Sequence, residues 1–199
     1  MALSQRTRQV AVPLAALAFS LAVLAVALVL VLAPPKNAGA PAVGGPFSLV
    51  NQDGKPVTER DFAGRPFLVF FGFTHCPDIC PTTLFQISEM LGKMGDEGRD
   101  LRALFITVDP ERDTTAMMKG YVENFGPTFI GLTGTQEQIT QVARAYRVYY
   151  QKVPGKDGSP YLMDHSSIVY LLDRNGRFVT HFTHDAKAET MANAVGRLL

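Results

Sequence analysis

Residues 67–81 join an apolar run, Phe67-Leu-Val-Phe-Phe-Gly-Phe73, to a cysteine motif, Thr74-His-Cys-Pro-Asp-Ile-Cys-Pro81. The unbroken run is typical of a strand that is buried on both faces of a sheet. Beyond the motif, apolar side chains recur every three to four positions, which predicts an amphipathic helix over Thr82–Gly95. The cysteines therefore lie in a strand-to-helix turn, at the sheet edge where α/β proteins usually bind ligands.

Strands and helices alternate on both sides of this turn. A hairpin turned at Asp53-Gly54 precedes it, and an antiparallel hairpin with a closing helix ends the chain. The predicted strands are Phe47–Val50, Pro56–Thr58, Phe67–Phe73, Leu101–Val108, Phe129–Leu132, Ser166–Leu172 and Arg177–Phe182. The further predicted helices are Asp113–Phe125, capped by Asp113 or Thr114, Thr135–Arg147, with a capping box, and Ala186–Leu199. This order predicts an α/β, thioredoxin-like fold with a central mixed sheet flanked by helices.

The segment Val10–Ala33 contains no charged residue, and 22 of its 24 residues are apolar. At about 1.5 Å per residue it would form a helix of about 36 Å, long enough to cross a hydrocarbon core of about 30 Å. We therefore expect a transmembrane anchor over residues 10–33. A cleavable signal peptide is the alternative, with Ala38-Gly-Ala40 as its cleavage site, but its apolar core is normally only about 7–15 residues long.

Charged residues around the anchor predict its orientation. Arg6 and Arg8 precede it and only Lys36 follows closely, so residues 1–9 are expected to be cytoplasmic. Residues 34–43 are rich in Pro, Gly and Ala and are expected to be a linker. Residues 44–199 then form one exported domain. Because a transit peptide rich in Arg and Ser does not precede the anchor, we expect a bacterial inner membrane and a periplasmic domain.

The charge of the exported part excludes one class of partner. From Lys36 onward the chain has 17 basic and 18 acidic residues, since two of its 19 basic residues lie before the anchor. This balance offers no strongly basic surface that would hold nucleic-acid phosphates. We therefore expect no nucleic-acid partner.

The two cysteines of the chain, Cys76 and Cys80, both belong to the strand-to-helix turn. Unpaired N–H groups at a helix start favour a thiolate, which is the form that attacks disulfides and binds soft metals. The redox motif of thioredoxins has two residues between its cysteines, whereas this motif has three. The longer spacing weakens the interpretation as a dithiol oxidoreductase only. A plain structural disulfide and a pair of inert buried thiols are the structural alternatives.

A metal bound by this pair needs a third ligand. Structural zinc sites usually have four Cys or His ligands, whereas Cu(I) accepts two thiolates and one imidazole. His165 precedes a predicted buried strand, in a loop expected to lie over the cysteine motif, although a capping or core role is its alternative. His75 adjoins Cys76 and is expected to have a structural role near the site. His181 and His184 are expected to be a solvated pair, with a surface metal site as the alternative.

Four stretches of the sequence together resemble the Sco (SenC) family of copper chaperones. They are Phe71-Gly-Phe-Thr-His-Cys-Pro-Asp-Ile-Cys-Pro-Thr82, Val108-Asp-Pro-Glu-Arg-Asp-Thr114, Gly131-Leu-Thr-Gly134 with Val142-Ala-Arg-Ala-Tyr146, and Asp164-His165. The resemblance runs from about Phe47 to the C-terminus, and a single preceding anchor is usual in the family. It implies a thioredoxin-like domain, outside the inner membrane, that helps to assemble the binuclear copper centre (CuA) of cytochrome c oxidase subunit II.

The resemblance also implies the roles of particular residues. Cys76, Cys80 and His165 match the family's ligands for one copper ion, as Cu(I) or Cu(II). Asp109 matches an acidic position that affects the copper site, and a strand-end turn before Pro110 is its structural alternative. The family's usual Asp-His-Thr is Asp-His-Ser here, which leaves the ligand unchanged.

Two functions of different classes follow. The first is a metallochaperone whose partners are cytochrome c oxidase subunit II, the membrane and, as candidates, other periplasmic copper chaperones. The second is a thiol-disulfide oxidoreductase, in which Cys76 and Cys80 are the catalytic pair that reduces the acceptor's cysteines. A peroxidase is less favoured, because peroxiredoxins carry Thr three residues before the reactive Cys and this chain has Phe73 there. The sequence favours a metallochaperone over an enzyme.

Overall fold

A computed structural model describes residues 19–26, 28, 43–155 and 158–199. Residues 19–26 and 28 are helical, and the rest of the predicted anchor lies outside the described residues, as do residues 1–9 and nearly all of the predicted linker. Among the described residues, no helix combines the length and apolar character needed to cross a membrane. The part of the chain from residue 42 onward folds as one compact unit.

A mixed sheet lies at the centre of this unit. Its seven strands, in chain order, are β1 (Ser48–Asn51), β2 (Pro56–Thr58), β3 (Phe67–Gly72), β4 (Arg102–Thr107), β5 (Phe129–Thr133), β8 (Ile168–Leu172) and β9 (Phe178–Thr183), and across the sheet they run β2-β1-β5-β4-β3-β8-β9. Strands β3, β4 and β5 are parallel, whereas β8 is antiparallel to β3 and to β9. The prediction of a thioredoxin-like mixed sheet with a final antiparallel hairpin is confirmed.

Helices cover the sheet. They are α1 (Ile79–Lys93), α2 (Asp96–Arg99), α3 (Thr115–Val122), α4 (Gln136–Tyr146) and α5 (Ala188–Gly196). The predicted capping box of α4 is present, because the side chain of Thr135 accepts from the N–H of Gln138 and the side chain of Gln138 accepts from the N–H of Thr135. Helix α3 is capped by Thr114, not Asp113, and continues into a 3-10 turn at Glu123–Phe125.

The apolar run that begins at Phe67 is the interior strand β3, buried along its whole length. It lies between β4 and β8, so both of its edges are hydrogen-bonded. All six of its residues are buried, so both of its faces are covered as well. The Phe70 ring packs against Phe105 of β4 with a centroid distance of 6.2 Å. Burial of each such side chain stabilises the fold by about 1.5–3 kcal/mol. This rigid strand fixes the position of the turn that follows it.

Helix α1 begins at Ile79, three residues before the predicted start, so Cys80 and Pro81 belong to its first turn. The predicted start was wrong because the apolar spacing used to place the helix begins only at Leu84, whereas Pro81 already lies in its first turn. The first four N–H groups of a helix have no partner within it, so a proline in the first turn removes no hydrogen bond.

Strands β6 (Tyr150–Val153) and β7 (Leu162–His165) form a separate antiparallel ribbon that was not predicted. Val153 and Leu162 are exposed, so the ribbon lacks the apolar continuity of a buried strand. His165 is therefore the last residue of a strand, and the prediction of a loop was wrong. In the register of the ribbon His165 pairs with Tyr150.

Candidate metal centre

Cys76 lies in the turn between β3 and α1. Its N–H donates to the carbonyl of Phe73 at 3.2 Å, and its Sγ accepts from the N–H of Cys80 at 3.3 Å. The N–H of Cys80 is one of the first four N–H groups of helix α1, which have no partner within the helix. Cys76 precedes α1, which begins at Ile79, so the two sulfurs converge through this turn.

Cys80 lies in the first turn of α1 and is completely buried. Its Sγ packs against Gly72, the last residue of β3. A Cβ atom at position 72 would lie 2.8 Å from this sulfur and 2.6 Å from the ring of Phe105. Glycine at the strand end therefore makes room for the thiol.

His165 reaches the cysteines from the β6–β7 ribbon. Its Nε2 lies 3.5 Å from the Sγ of Cys80, and its Nδ1 lies 3.2 Å from the carbonyl of Ser166. Nδ1 thus faces a carbonyl, which can only accept, and Nε2 faces the sulfur of Cys80. The rings of Phe70 and Phe73 hold the imidazole edge-on, with centroid distances of 6.3 and 5.9 Å.

The two Sγ atoms and an imidazole nitrogen of His165 lie within 4.8 Å of one another. Cys76 and His165 also line a cleft of about 250 Å³, so the site is open on one side. Across the described residues, Cys, His, Asp and Glu side chains form no second group of three that could hold a metal ion. Two thiolates and an imidazole are a soft donor set, which fits copper better than Mg²⁺ or Ca²⁺.

The two thiols differ strongly in acidity. The hydrogen bond from the Cys80 thiol lowers the pKa of Cys76 to about 4, with smaller contributions from His165 and the backbone. The same hydrogen bond, followed by burial, raises the pKa of Cys80. At neutral pH Cys76 is therefore a thiolate at the cleft, and Cys80 is a buried thiol. Both cysteines are free in this structure.

The other histidines lie outside this group. The Nδ1 of His75 is 3.0 Å from the hydroxyl of Thr74 and 3.8 Å from the carboxylate of Asp113. His181 and His184 are exposed on and beyond β9, and His181 stacks on Phe178 with a centroid distance of 6.4 Å.

Asp109 is buried at the end of β4 and is not part of the donor group. Its carboxylate accepts from the Nε of Arg112 at 2.5 Å and from the hydroxyl of Tyr161 at 2.9 Å. The guanidinium of Arg112 stacks on the Tyr161 ring at 3.7 Å and lies 5.9 Å from the ring of Phe73. Asp109 thus joins the β4 end to the segment that leads into the ribbon carrying His165.

Asp113, a candidate N-cap in the sequence, is completely buried beside the cysteine turn. Its carboxylate accepts from the N–H of Thr74 and from the hydroxyls of Thr74 and Thr107. Thr114 caps the helix, so Asp113 is not needed as the N-cap and its side chain can point into the protein. The good N-cap residue directly after Asp113 is the one sequence signal for this buried position.

Comparisons with known proteins place the chain in a family. A family model described as SCO1/SenC matches residues 35–199. The chain belongs to the SCO1/SenC family.

Relatives of this SCO1/SenC protein occur in bacteria and in mitochondria. It is 43% identical over 162 residues to the mitochondrial SCO1 homolog of Mus musculus, a match that covers 80% of this chain and 57% of the mouse protein. It is 42% identical over 150 residues to a SCO2-like protein of Rickettsia conorii, covering 75% and 73% of the two chains. The chain spans about half the length, 48 to 57%, of the SCO1 homologs of mouse, Arabidopsis thaliana and human.

A solved structure of Bradyrhizobium japonicum ScoI with copper bound has the same fold. Its TM-score is 0.74 at 51% identity, and the match covers 79% of this chain and all of that one. The fold of the unit from residue 42 onward is therefore that of solved Sco proteins.

Proposed function

We propose that this SCO1/SenC protein is a membrane-anchored copper chaperone that acts in cytochrome c oxidase assembly and delivers copper to the CuA site of subunit II. The observation that carries the proposal is the convergence of two sulfurs and an imidazole nitrogen within 4.8 Å. Cys76, Cys80 and His165 are the proposed ligands of one copper ion. The copper-bound structure of Bradyrhizobium japonicum ScoI supports the identity of the metal.

Copper would enter from the cleft that Cys76 and His165 line. The Cys76 thiolate is ready to bind at neutral pH, whereas Cys80 must first lose its proton. His165 is the weakest of the three donors for Cu(I), so it is the first to be released when the acceptor's cysteines attack. Release leaves a two-sulfur complex that the acceptor can take over by ligand exchange.

The number of protons released on copper binding tests this order of events. We expect one proton per Cu(I) at pH 7, because the pKa of Cys76 is lowered to about 4 while that of Cys80 is raised. Loss of one proton makes the affinity fall about tenfold when the pH drops from 8 to 7. Titration in weakly buffered solution with a pH indicator measures the release. Two protons per copper would show that Cys76 is not a thiolate in the free protein.

The predicted anchor over residues 10–33 would hold the domain near a membrane-bound acceptor and raise its effective concentration there. We propose a single pass in a bacterial inner membrane, with the N-terminus in the cytoplasm and the domain in the periplasm. Periplasmic copper chaperones are then candidate donors of the metal. The distribution of charges around the segment supports this orientation.

Copper transfer to the acceptor tests the proposed function. The full chain in lipid nanodiscs is loaded with one equivalent of Cu(I) and mixed with a metal-free CuA domain whose cysteines are reduced. We expect copper to move to the CuA domain after the two proteins are separated. An acceptor with both CuA cysteines replaced by serine is the control. Equal copper loss to both acceptors would contradict a directed transfer.

A thiol-disulfide oxidoreductase is the second candidate, favoured by the unequal acidity of the cysteines. The Cys76 thiolate would attack an acceptor disulfide and form a mixed disulfide, releasing one acceptor thiolate. Cys80, after losing its proton, would then attack Cys76 and release the second. The chain ends with a Cys76–Cys80 disulfide, the acceptor gains two electrons, and an external dithiol must restore the pair. This activity would prepare the same acceptor cysteines for copper.

Asp109 is proposed to act on the copper site through the ribbon and not as a ligand. Tyr161→Phe removes only the hydroxyl that donates to Asp109 and leaves the ring on which Arg112 stacks. Loss of an outer hydrogen bond commonly lowers metal affinity about 10–100-fold, and we expect a value near the lower end here. Tyr149→Phe, which removes an exposed hydroxyl bonded to Gln151, is the matched control. Equal Cu(I) affinities of the two variants would refute this role for Asp109.

A further inference from the structure

Asp113 is a buried acid that the proposed copper chemistry does not use. It has no exposed surface. Its Oδ2 accepts from the N–H of Thr74 at 3.0 Å and from the hydroxyl of Thr107 at 2.6 Å, and its Oδ1 accepts from the hydroxyl of Thr74 at 2.6 Å. A buried carboxylate is tolerated only when such bonds replace the lost water. These three hydrogen bonds hold the Asp113 carboxylate in one position.

The contacts of Asp113 join the carboxyl ends of three parallel strands. Thr74 follows β3, Thr107 ends β4, and the hydroxyl of Thr133, at the end of β5, donates to the carbonyl of Asp113 at 2.9 Å. The carboxyl edge of the sheet is also where the cysteine turn lies. Asp113 therefore links the start of this turn to the most rigid part of the molecule.

Thr74 lies two residues before Cys76, and Asp113 holds it by both its backbone and its side chain. The backbone bond from Cys76 to Phe73 is the next restraint along the turn. Together they aim the Cys76 sulfur at the N–H of Cys80, the contact that brings the two sulfurs together. Without the Asp113 carboxylate, the N–H and the hydroxyl of Thr74 would both lose their acceptor. The bond from Cys76 to the Phe73 carbonyl would then be the main restraint on the turn, and the position of the Cys76 sulfur would be less well fixed.

We propose that Asp113 is a positioning residue for the metal centre, which sets the place of Cys76 relative to Cys80 and His165 without touching the metal. This inference rests on the proposed function for its effect on copper. Its effect on the geometry of Cys76 exists in the metal-free protein as well. The two can therefore be tested apart.

Asp113→Asn keeps the shape of the side chain and replaces one acceptor oxygen by an amino group. Asp173→Asn is a matched control, because Asp173 accepts from the N–H groups of Asn175 and Arg177 at 2.8 and 2.9 Å. Asp173 follows Leu172, which pairs with Phe67 at the opposite end of β3 from the cysteines. Both substitutions weaken hydrogen bonds from backbone N–H groups, but only Asp113→Asn does so at the cysteine turn.

The experiment uses the full chain in nanodiscs. The pH dependence of Cys76 alkylation is followed by mass spectrometry without metal, and Cu(I) affinity is measured by competition with a chelator. Loss of the Asp113 charge alone would lower the pKa of the nearby thiols, so an upward move of the alkylation midpoint can only come from displacement of Cys76 away from the hydrogen bond of Cys80. For Asp113→Asn we expect this displacement to prevail, with the midpoint moving upward from near pH 4 by about one unit and the affinity falling about 10–100-fold. Asp173→Asn is expected to change the melting temperature only.

The alkylation midpoint decides the outcome. An Asp113→Asn protein that is less stable, yet alkylated with the wild-type pH profile, would overturn the positioning role and leave Asp113 a structural residue. If this variant does not fold, Thr74→Val removes the hydroxyl link to Asp113, together with the contact to His75, and leaves the backbone bond to Asp113 in place. It is expected to move the midpoint upward as well, and an unmoved midpoint overturns the inference equally. If the wild-type chain binds no copper, the proposed function fails, and the midpoint still tests Asp113.

Discussion

Replacement of Cys80 by serine is expected to lower the affinity for Cu(I) by more than about 100-fold, beyond the range that loss of an outer hydrogen bond produces. Serine keeps the shape of the side chain but offers a hard hydroxyl in place of a soft sulfur. Its proton is also much harder to remove, and Cys80 is completely buried, so a charged oxygen would lack solvation. The remaining pair, Cys76 and His165, forms only a two-coordinate site.

Competition with a colourless Cu(I) chelator measures this loss. Thr83→Ser is the matched control, because Thr83 is also buried in α1, is not one of the three donors, and keeps as serine the hydroxyl that donates to the carbonyl of Ile79. We expect this control to bind one equivalent with wild-type affinity. A Cys80→Ser protein that does the same would remove Cys80 from the site.

His165→Ala is expected to separate copper binding from thiol chemistry. The variant loses the imidazole that completes three-coordinate Cu(I), and we expect its affinity to fall by about 100-fold or more. Disulfide reduction needs only the two sulfurs, so the rate with a model disulfide should stay within about threefold of wild type. The pKa of Cys76 should rise only slightly, because its largest shift comes from Cys80 and not from His165.

The two activities are measured on the same preparation, by chelator competition and by reduction of a chromogenic disulfide. His181→Ala removes an exposed histidine that lies outside the donor group and is the control for both. Loss of disulfide reduction together with copper binding would mean that His165 also supports the thiolate. Unchanged copper affinity would exclude His165 as a ligand.

The sequence predicts the part of this fold that depends on continuous patterns. The apolar run from Phe67 is the buried interior strand β3, and the capping box at Thr135 begins helix α4. Such features depend on residues that are close in sequence, so the sequence alone predicts them. The predicted start of α1 at Thr82 is three residues late, since Pro81 lies in the first turn, where proline removes no helical hydrogen bond.

The site depends on contacts that are distant in sequence. His165 and Cys80 are 85 positions apart, and the ribbon that brings His165 to the cysteines has no strong hydrophobic pattern. Resemblance to a known family, and not periodicity, identified His165 as the third donor. The resemblance also pointed to Asp109, but neither its contacts nor the burial of Asp113 could be predicted, because both depend on which hydroxyls and N–H groups the folded chain places around a carboxylate.

X-ray absorption at the copper edge of the full chain loaded with one equivalent of Cu(I) tests the central claim most directly. The donor group predicts a three-coordinate ion with two sulfur neighbours and one nitrogen neighbour, and with the outer-shell scattering of an imidazole ring. In His165→Ala the imidazole signal should disappear while both sulfurs remain. A wild-type spectrum with fewer than two sulfur neighbours, or without the imidazole signal, would contradict the assignment of Cys76, Cys80 and His165 as the copper ligands.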